Sequence, residues 1–269
     1  MKVKLVRSLW GVSDGWETSF PRIKGVGYAA IECVPPPADQ RERFTSLLKQ
    51  HRLGYVALIY TTGTTVQDHI TSFKTKISDA QTLDPLLINS QCGRDAFDES
   101  DAIKYFKAAL AFECDLDIEV CHENHRTRIF YNPWITGRML NRFPTMKFCA
   151  DYSHWVVVTE RLLDDCTDIL TLCATRCIHI HARVGYEEGP QTPDPRAPEY
   201  ARHLQAHERW WKQIYQAQAA QNRAALTLVP EFGGSPYLHT LPYTGAPVAN
   251  VDDVCNWIAK RQARELSKP

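Results

Sequence analysis

Short apolar segments recur along the chain, separated by longer segments in which apolar residues repeat with the period of a helix. The apolar segments are four to eight residues long, which is typical of strands. They are residues 3–10, 27–33, 55–60, 86–89, 118–123, 147–151, 177–181 and 226–232. Helices are predicted at 39–51, 66–77, 102–110, 133–140, 156–170, 199–224 and 251–264. The pattern therefore predicts strands that alternate with helices.

Eight strands alternating with helices are typical of a (β/α)8 TIM barrel, an α/β fold of about 250 residues. One such domain accounts for the whole chain, residues 1–269. No GxGxxG motif follows the first strand, which speaks against a dinucleotide-binding, doubly wound sheet. Pro230 lies inside the eighth apolar segment. Because proline donates no hydrogen bond to a neighbouring strand, we expect it near the end of that strand.

The alternation of side chains between the two faces of a strand predicts which residues face the barrel interior. On the last four strands, the final interior residues are Glu123, Asp151, His181 and Glu231. Three carboxylates close together repel one another unless a cation lies among them. With one imidazole they suit Mn²⁺, Mg²⁺, Co²⁺ or Zn²⁺, and the ligand types do not select one of these metals. His179 shares the face of His181, so either histidine is a candidate ligand.

The same register makes predictions for residues lower in the barrel. Glu119 and Lys147 lie four residues before two of the candidate ligands, on neighbouring strands, and we expect them to form an ion pair with a structural role. His122 is expected to face the surrounding helices. Cys121 and Cys149 face inward between apolar neighbours, and no catalytic role is predicted for either.

Polar residues in the loops after the last strands are candidates for substrate binding. They are His125, His154, Arg183 and Gln191. The alternative for the two histidines is hydrogen bonding at the surface. The alternative for Arg183 and Gln191 is bracing of the proline-rich segment 189–198, which we expect to form a lid or wall over the barrel mouth.

Other residues near strand ends bear on the shape of the pocket. Trp10, Trp16 and Glu32 follow the first two strands and are expected to wall it. Residues 233–235, Gly-Gly-Ser, lie where many barrels bind phosphate. No lysine or arginine is near them in the sequence, so a tight turn is the simpler prediction.

Composition and charge narrow the class of partner. The chain has 31 basic and 31 acidic residues, and this balance disfavours a dedicated nucleic-acid binder. Nine cysteines without a CxxC pair are typical of reduced thiols in a cytoplasmic protein. No apolar run approaches the roughly 18 residues of a membrane span, and the first seven residues are too charged for a signal peptide. A small soluble substrate is therefore expected, with neither nucleic acid nor membrane as partner.

Four short motifs on successive strands resemble those of the xylose isomerase-like TIM-barrel superfamily. They are Glu123-Asn124-His125, Asp151-Tyr152-Ser153-His154, Ile178-His179-Ile180-His181 and Pro230-Glu231-Phe232-Gly233. The resemblance spans residues 116–237. It implies that Glu123, Asp151, His181 and Glu231 hold a divalent metal ion and that the two glutamates act as an acid/base pair on opposite faces of a carbohydrate-like substrate. It also places His154 near the substrate, whereas Arg183 lies closer to His181 than the arginine of the epimerases does.

The resemblance implies a metal-dependent sugar or sugar-phosphate isomerase or epimerase, of the ketose 3-epimerase type, that transfers a proton through a metal-stabilised enediolate. A metal-dependent dehydratase of the inosose or 3-dehydroshikimate type is the alternative, because it begins with the same proton abstraction. An endonuclease IV-like enzyme would need more ligands and a basic groove. A non-catalytic sugar-binding barrel would not need all four ligands. The sequence specifies neither the substrate nor the oligomeric state, and a homo-oligomer is compatible with it.

Overall fold

The chain folds into a closed barrel of eight parallel strands, in a computed structural model that describes residues 1–266. The strands are β1 (Lys2–Ser8), β2 (Ala30–Cys33), β3 (Gly54–Tyr60), β4 (Leu87–Gln91), β5 (Val120–Glu123), β6 (Phe148–Ala150), β7 (Cys177–Ala182) and β8 (Ala225–Pro230). Each strand pairs with the next along the chain, and β8 pairs with β1. The predicted single-domain α/β TIM barrel is confirmed. Pro230 is the last residue of its strand, as expected.

Nine α-helices surround the barrel in the described part of the chain. They are α1 (Trp16–Val26), α2 (Arg41–His51), α3 (Val66–Gln81), α4 (Glu99–Glu113), α5 (Pro133–Arg142), α6 (Tyr152–Thr159), α7 (Thr167–Arg176), α8 (Ala201–Ala220) and α9 (Val251–Glu265). Helix α1 was not predicted, and it contains a proline at position 21. The single helix predicted at 156–170 is wrong. The chain leaves the helical conformation at Glu160, where φ is 51°, and resumes it in α7. No helix of residues 1–266 is long and apolar enough to cross a membrane.

Two apolar layers hold the barrel together. The larger lies between the strands and the helices. The smaller fills the barrel interior with one side chain from each strand, namely Val6, Ala30, Val56, Leu87, Cys121, Cys149, Ile178 and Val229. All nine cysteines are free thiols, and most of them are buried. The interior layer forms the apolar base beneath the polar residues at the carboxyl ends of the strands.

Strand β7 departs from the predicted alternation of faces. Ile178 was expected to face the helices, but it belongs to the interior cluster, and Cys177 packs in the outer layer instead. The cause is a register shift between β6 and β7, in which Phe148 pairs with Cys177 and the next residue pairs with His179. This irregularity leaves Ile178 without a partner on β6. His179 and His181 still point into the barrel, and Ile180 faces the helices as predicted.

The predicted ion pair at the other end of the barrel is confirmed. Lys147 Nζ lies 3.0 Å from Glu119 Oε1. Arg223 adds a second cation to the same carboxylate, which the sequence did not predict. Burial opposes ionisation of Glu119, but the two cations outweigh it and lower the pKa of the carboxyl. The cluster is half-exposed, which suits a structural role at the opening opposite the candidate site.

His122 faces the helices, as predicted, and pairs with Glu113 at the end of α4. Its Nε2 lies 2.9 Å from Glu113 Oε1, and its ring packs between Phe73 and Phe106. Burial disfavours the charged imidazole, but the nearby carboxylate outweighs this effect and raises the pKa of His122 to about 10. The histidine therefore carries a proton in the folded protein at neutral pH.

A Glu113→Gln variant is expected to lose stability in a pH-dependent way. Folding raises the pKa of His122 to about 10. The stabilisation of the folded state by the charged pair is therefore greatest below the pKa of the unfolded histidine, about 6.5, and is lost as the pH rises through the folded pKa. We expect a loss of about 1–3 kcal/mol in the free energy of unfolding at pH 6, declining towards pH 10. Urea denaturation at several pH values measures it. Glu99→Gln, which breaks an exposed pair with Arg138, should cost little at any pH, and a loss at Glu113 that is independent of pH would contradict the charged pair.

Candidate active site at the carboxyl end of the barrel

The structure brings the four predicted ligands together at one end of the barrel. Glu123 ends β5, Asp151 caps α6 directly after β6, His181 lies in β7, and Glu231 follows β8. All four side chains are buried. Ligand atoms of Asp151, His181 and Glu231 lie within 4.8 Å of one another. Glu123 Oε1 lies 3.7 Å from His181 Nδ1, so the set forms one cluster.

Of the two histidines on β7, His181 is the one that lies among these carboxylates. Its Nδ1 is 2.8 Å from Glu231 Oε2, and its Nε2 is 2.9 Å from Glu32 Oε2. His179 lies one step lower, where Nδ1 bonds the Thr227 hydroxyl at 2.7 Å and Nε2 is 3.3 Å from Glu32. Both nitrogens of His179 are thus engaged beneath the cluster, in a position suited to holding Glu32 in place.

Three residues of β2 and β4 belong to the cluster, although the sequence did not assign them to it. Glu32 was expected only to wall the pocket, yet its carboxylate bridges His179 and His181. Asn89 Nδ2 donates to Glu123 Oε2 at 2.6 Å, and Gln91 Nε2 donates to Glu123 Oε1 at 2.9 Å. The predicted fourth strand ended at residue 89, because the polar residues after it have the composition of a loop. A predicted strand two residues longer would have placed Gln91 on the same face as Asn89, which points into the barrel.

Arg183 lies inside the cluster. Its guanidinium pairs with Asp151 Oδ2 and lies 3.3 Å from Glu231 Oε1. Its Nε donates to the Ser153 hydroxyl at 3.0 Å. The side chain is 2% exposed, and its remaining surface faces the candidate pocket, with Tyr237 at 5.1 Å from the guanidinium carbon to the ring centre. The arginine is therefore bound to two predicted metal ligands and also available to a substrate.

Charge in the cluster is only partly balanced, since four carboxylates face two cationic side chains. Burial and the neighbouring carboxylates raise the pKa of Glu123 to about 8 despite His181. Burial raises the pKa of Asp151 to about 6 despite Arg183. For Glu231, burial is outweighed by Arg183 and His181, and the pKa falls to about 2. Burial is likewise outweighed at His181, where the carboxylates hold the pKa well above its usual value. A further cation would relieve the remaining negative charge.

The donor set fits a divalent metal ion. Glu231 Oε2 is buried and forms no hydrogen bond, although His181 Nδ1 is close enough for an ion pair. With Nε2 of His181 held by Glu32, Nδ1 is the nitrogen directed at Glu123 and Glu231. A carboxylate that fixes the second nitrogen of a ligating histidine is a frequent feature of metal sites. Glu123, Asp151, His181 and Glu231 would then hold the metal.

A cavity of about 340 Å³ opens above the cluster, and Glu231, His181 and Arg183 reach its wall. His125 also lines it. Its Nδ1 bonds the carbonyl oxygen of Arg126, which can only accept, so Nδ1 carries the proton and Nε2 is an acceptor. Burial, with help from Arg183, lowers the pKa of His125 to about 3. The histidine is therefore neutral and offers a lone pair.

His154 stacks on His125, with ring centres 3.8 Å apart. It was predicted in a loop, but it lies in the first turn of α6, because that helix begins four residues earlier than expected. Its Nε2 is 2.5 Å from Arg183 Nη2. Burial and the cations around it hold the pKa of His154 well below its usual value. The ring supports Arg183 and His125 from behind, and the contact of His154 with substrate stays a prediction.

Gln191 is buried at the edge of the barrel mouth. Its Nε2 donates to the Gly233 carbonyl at 3.1 Å, and its Oε1 accepts from the Gly233 amide at 2.7 Å. These bonds use both ends of the side chain and support the alternative of bracing. The substrate role of Gln191 remains a prediction. Trp10 lines the cavity as expected, whereas Trp16 packs on Phe44 outside the barrel.

Gly233 lies directly against the Trp10 indole. A Cβ at this position would come within 1.9 Å of a Trp10 ring atom. A Gly233→Ala variant is therefore expected to displace the indole from the cavity wall and to cost about 1–3 kcal/mol in the free energy of unfolding. Denaturation and tryptophan fluorescence measure the two effects. Gly25→Ala, with nothing within 4 Å of the added atom, is the matched control, and unchanged fluorescence in the Gly233 variant would contradict the contact.

Comparisons with known proteins bear on the fold. Neither a protein-family model nor a curated protein sequence matches the chain. A sugar phosphate isomerase/epimerase from Parabacteroides distasonis aligns with a TM-score of 0.63 at 12% identity, covering 99% of this chain and 96% of that chain. The probable 3-DHS dehydratase involved in petrobactin synthesis from Bacillus anthracis has a TM-score of 0.60 at 12% identity, with 96% and 97% covered.

A third solved structure is the family 2 AP endonuclease from Brucella melitensis. It aligns with a TM-score of 0.60 at 13% identity, covering 96% of this chain and 98% of that chain. The three proteins are xylose isomerase-like TIM barrels. The resemblance predicted from the motifs is therefore confirmed at the level of the fold. The three have different activities, so the fold alone does not choose among them.

Proposed function

We propose that this protein is a divalent-metal-dependent isomerase or epimerase that acts on a small sugar or sugar phosphate. The observation that carries the proposal is the buried cluster of four carboxylates around His181, which lies directly beneath a cavity of about 340 Å³. Carboxylates are rarely buried together unless they bind a cation or transfer protons. The fold is shared with a sugar phosphate isomerase/epimerase, which is consistent with this function.

Two carboxylates are positioned to move the proton. Glu231 reaches the cavity wall, and Glu123, which is held by Asn89 and Gln91, lies with it at the Nδ1 side of His181. One takes the proton from the carbon beside the substrate carbonyl, and the other returns a proton to the opposite face. A divalent metal ion held by Glu123, Asp151, His181 and Glu231 would stabilise the negative charge that this abstraction creates on the substrate oxygens.

Other residues of the pocket orient the substrate. The acceptor nitrogen of His125 suits a substrate hydroxyl, because its ring is neutral and lines the cavity. Arg183 supplies donors at the same wall while it fixes Asp151 and Glu231. The indole of Trp10 and the ring of Tyr237 give the cavity an apolar side, which suits the C–H face of a sugar and limits the access of water.

Incubation with candidate substrates in deuterated water tests the function. Ketoses, their phosphates, inososes and 3-dehydroshikimate are supplied with Mn²⁺, Mg²⁺, Co²⁺ or Zn²⁺, and the products are followed by NMR. Deuterium at the carbon beside the carbonyl, together with an epimer or isomer, is the expected result. Deuterium incorporation followed by loss of a β-hydroxyl would identify a dehydratase instead. Absence of exchange in the whole panel, with every metal, would overturn the proposal.

A further inference from the structure

One wall of the cavity carries a positive charge that the proposed chemistry does not use. Arg128 follows β5 and lines the cavity beside His125. Its Nη1 donates to the carbonyl oxygens of Thr61 at 3.0 Å and Gly93 at 3.3 Å, which follow β3 and β4. These two bonds tie the side chain across the ends of neighbouring strands. The guanidinium is thus held in place before any ligand binds.

The charge of Arg128 is not balanced by the protein. No carboxylate forms an ion pair with it within the described residues 1–266, and its Nε is buried without a hydrogen-bond acceptor. By contrast, two fully buried arginines have carboxylate partners: Arg7 pairs with Asp252, and Arg183 pairs with Asp151. A guanidinium that reaches a cavity wall without a carboxylate partner leaves its charge available to an anionic ligand.

Further positive charge surrounds this wall. Lys76 donates to the carbonyl oxygen of Tyr60, the last residue of β3. The guanidinium of Arg128 also lies 5.8 Å from the centre of the Tyr60 ring, which lines the cavity. The cavity wall therefore carries both the carboxylate of Glu231 and the guanidinium of Arg128. A ligand with one anionic group and several hydroxyls would match this lining.

We propose that Arg128 binds an anionic oxygen group of the substrate, a carboxylate or a phosphate, while the carbons to be deprotonated lie over Glu123 and Glu231. This inference rests on the proposed function, because it takes the cavity as the substrate site. A guanidinium binds either anion through charge-assisted hydrogen bonds, which are paired where two of its N–H groups reach the anion. A cavity of about 340 Å³ is near the lower end of the range for ligand sites and suits a single sugar unit.

Anion binding to the metal-free protein tests the inference without requiring turnover. Calorimetric titrations with inorganic phosphate, with glycolate and with neutral glycerol give the three dissociation constants. One of the two anions is expected to bind, and an Arg128→Gln variant is expected to bind it about 10- to 100-fold more weakly. Arg94→Gln, an exposed neighbour that does not line the cavity, is the matched control and should leave the constant unchanged.

The anion that binds distinguishes a sugar phosphate from a sugar carboxylate. Arg128→Lys keeps the charge but loses the paired geometry, so it should retain partial affinity and serves if the glutamine variant does not fold. Equal affinity of the parent and both Arg128 variants for each anion would overturn the inference, as would absence of anion binding. Exchange of deuterium into neutral ketoses would still support the proposed function in that case. Anion binding without any exchange would instead contradict the proposed function alone.

Discussion

Replacement of Glu123 by glutamine is expected to lower the rate of substrate interconversion by about 10²- to 10⁴-fold, the usual contribution of a positioned acid or base. The carboxylate accepts hydrogen bonds from Asn89 and Gln91 on its two oxygens. A glutamine would turn an amide towards one of these donors and could not exchange a proton. The interconversion rate, followed by NMR with the substrate identified in the exchange panel, measures the loss.

Glu231→Gln is expected to reduce interconversion by a similar factor, for a related reason. The change removes the charge that His181 and Arg183 face and leaves the second face of the substrate without a proton carrier. If the two glutamates serve opposite faces, each variant should still exchange deuterium into one epimer through the remaining carboxylate. The pair of variants should therefore show opposite preferences between the two epimers.

Glu119→Gln is the control for both variants, since it lies on the chain just before β5 and pairs with Lys147 and Arg223 at the far end of the barrel. It should reduce stability slightly and leave interconversion unchanged. Retention of full activity by both site variants would show that neither glutamate moves the proton. Circular dichroism and denaturation of each variant separate loss of chemistry from loss of the fold.

The four candidate ligands could be predicted because each depends on information local to one strand. Alternation along β5, β6 and β8 fixes which residues point inward, and parallel strands bring their carboxyl ends to the same side of the barrel. The predicted inward direction of His181 is correct despite the irregularity at Ile178, because the register shift precedes His181 along the chain. A shift one residue later would have directed His181 at the helices.

The remaining features of the site depend on contacts between distant parts of the chain. Glu32 reaches His179 and His181 only because β1 and β8 close the barrel and bring β2 near β7. Arg183 was assigned to substrate, and nothing local to its sequence indicates that Asp151 and Glu231 would hold it. Charge pairing across a closed barrel is set by geometry in three dimensions, which the pattern along one strand does not contain.

Addition of a divalent metal ion is expected to stabilise the folded protein, because the ligands are assembled only when the barrel is closed. At a free metal concentration 100 times the dissociation constant, the free energy of unfolding should rise by about 2.7 kcal/mol, which corresponds to about 5–10 °C in Tm. Thermal unfolding with Mn²⁺, Mg²⁺, Co²⁺ or Zn²⁺, against protein treated with a chelator, measures the shift and ranks the metals.

The stabilisation by metal should disappear in an Asp151→Asn variant. Asp151 is a member of both clusters of potential ligands that include a glutamate of the site, one with His181 and Glu231 and the other with Glu123 and His154. The variant also leaves Arg183 without its main partner, so its own Tm without metal is the reference. Asp164→Asn, on an exposed carboxylate, should keep the full shift. Because Asp151 belongs to both ligand clusters, its loss should weaken metal binding at this site. A metal-induced shift in Tm of equal size in the Asp151 and Asp164 variants would therefore place the metal elsewhere.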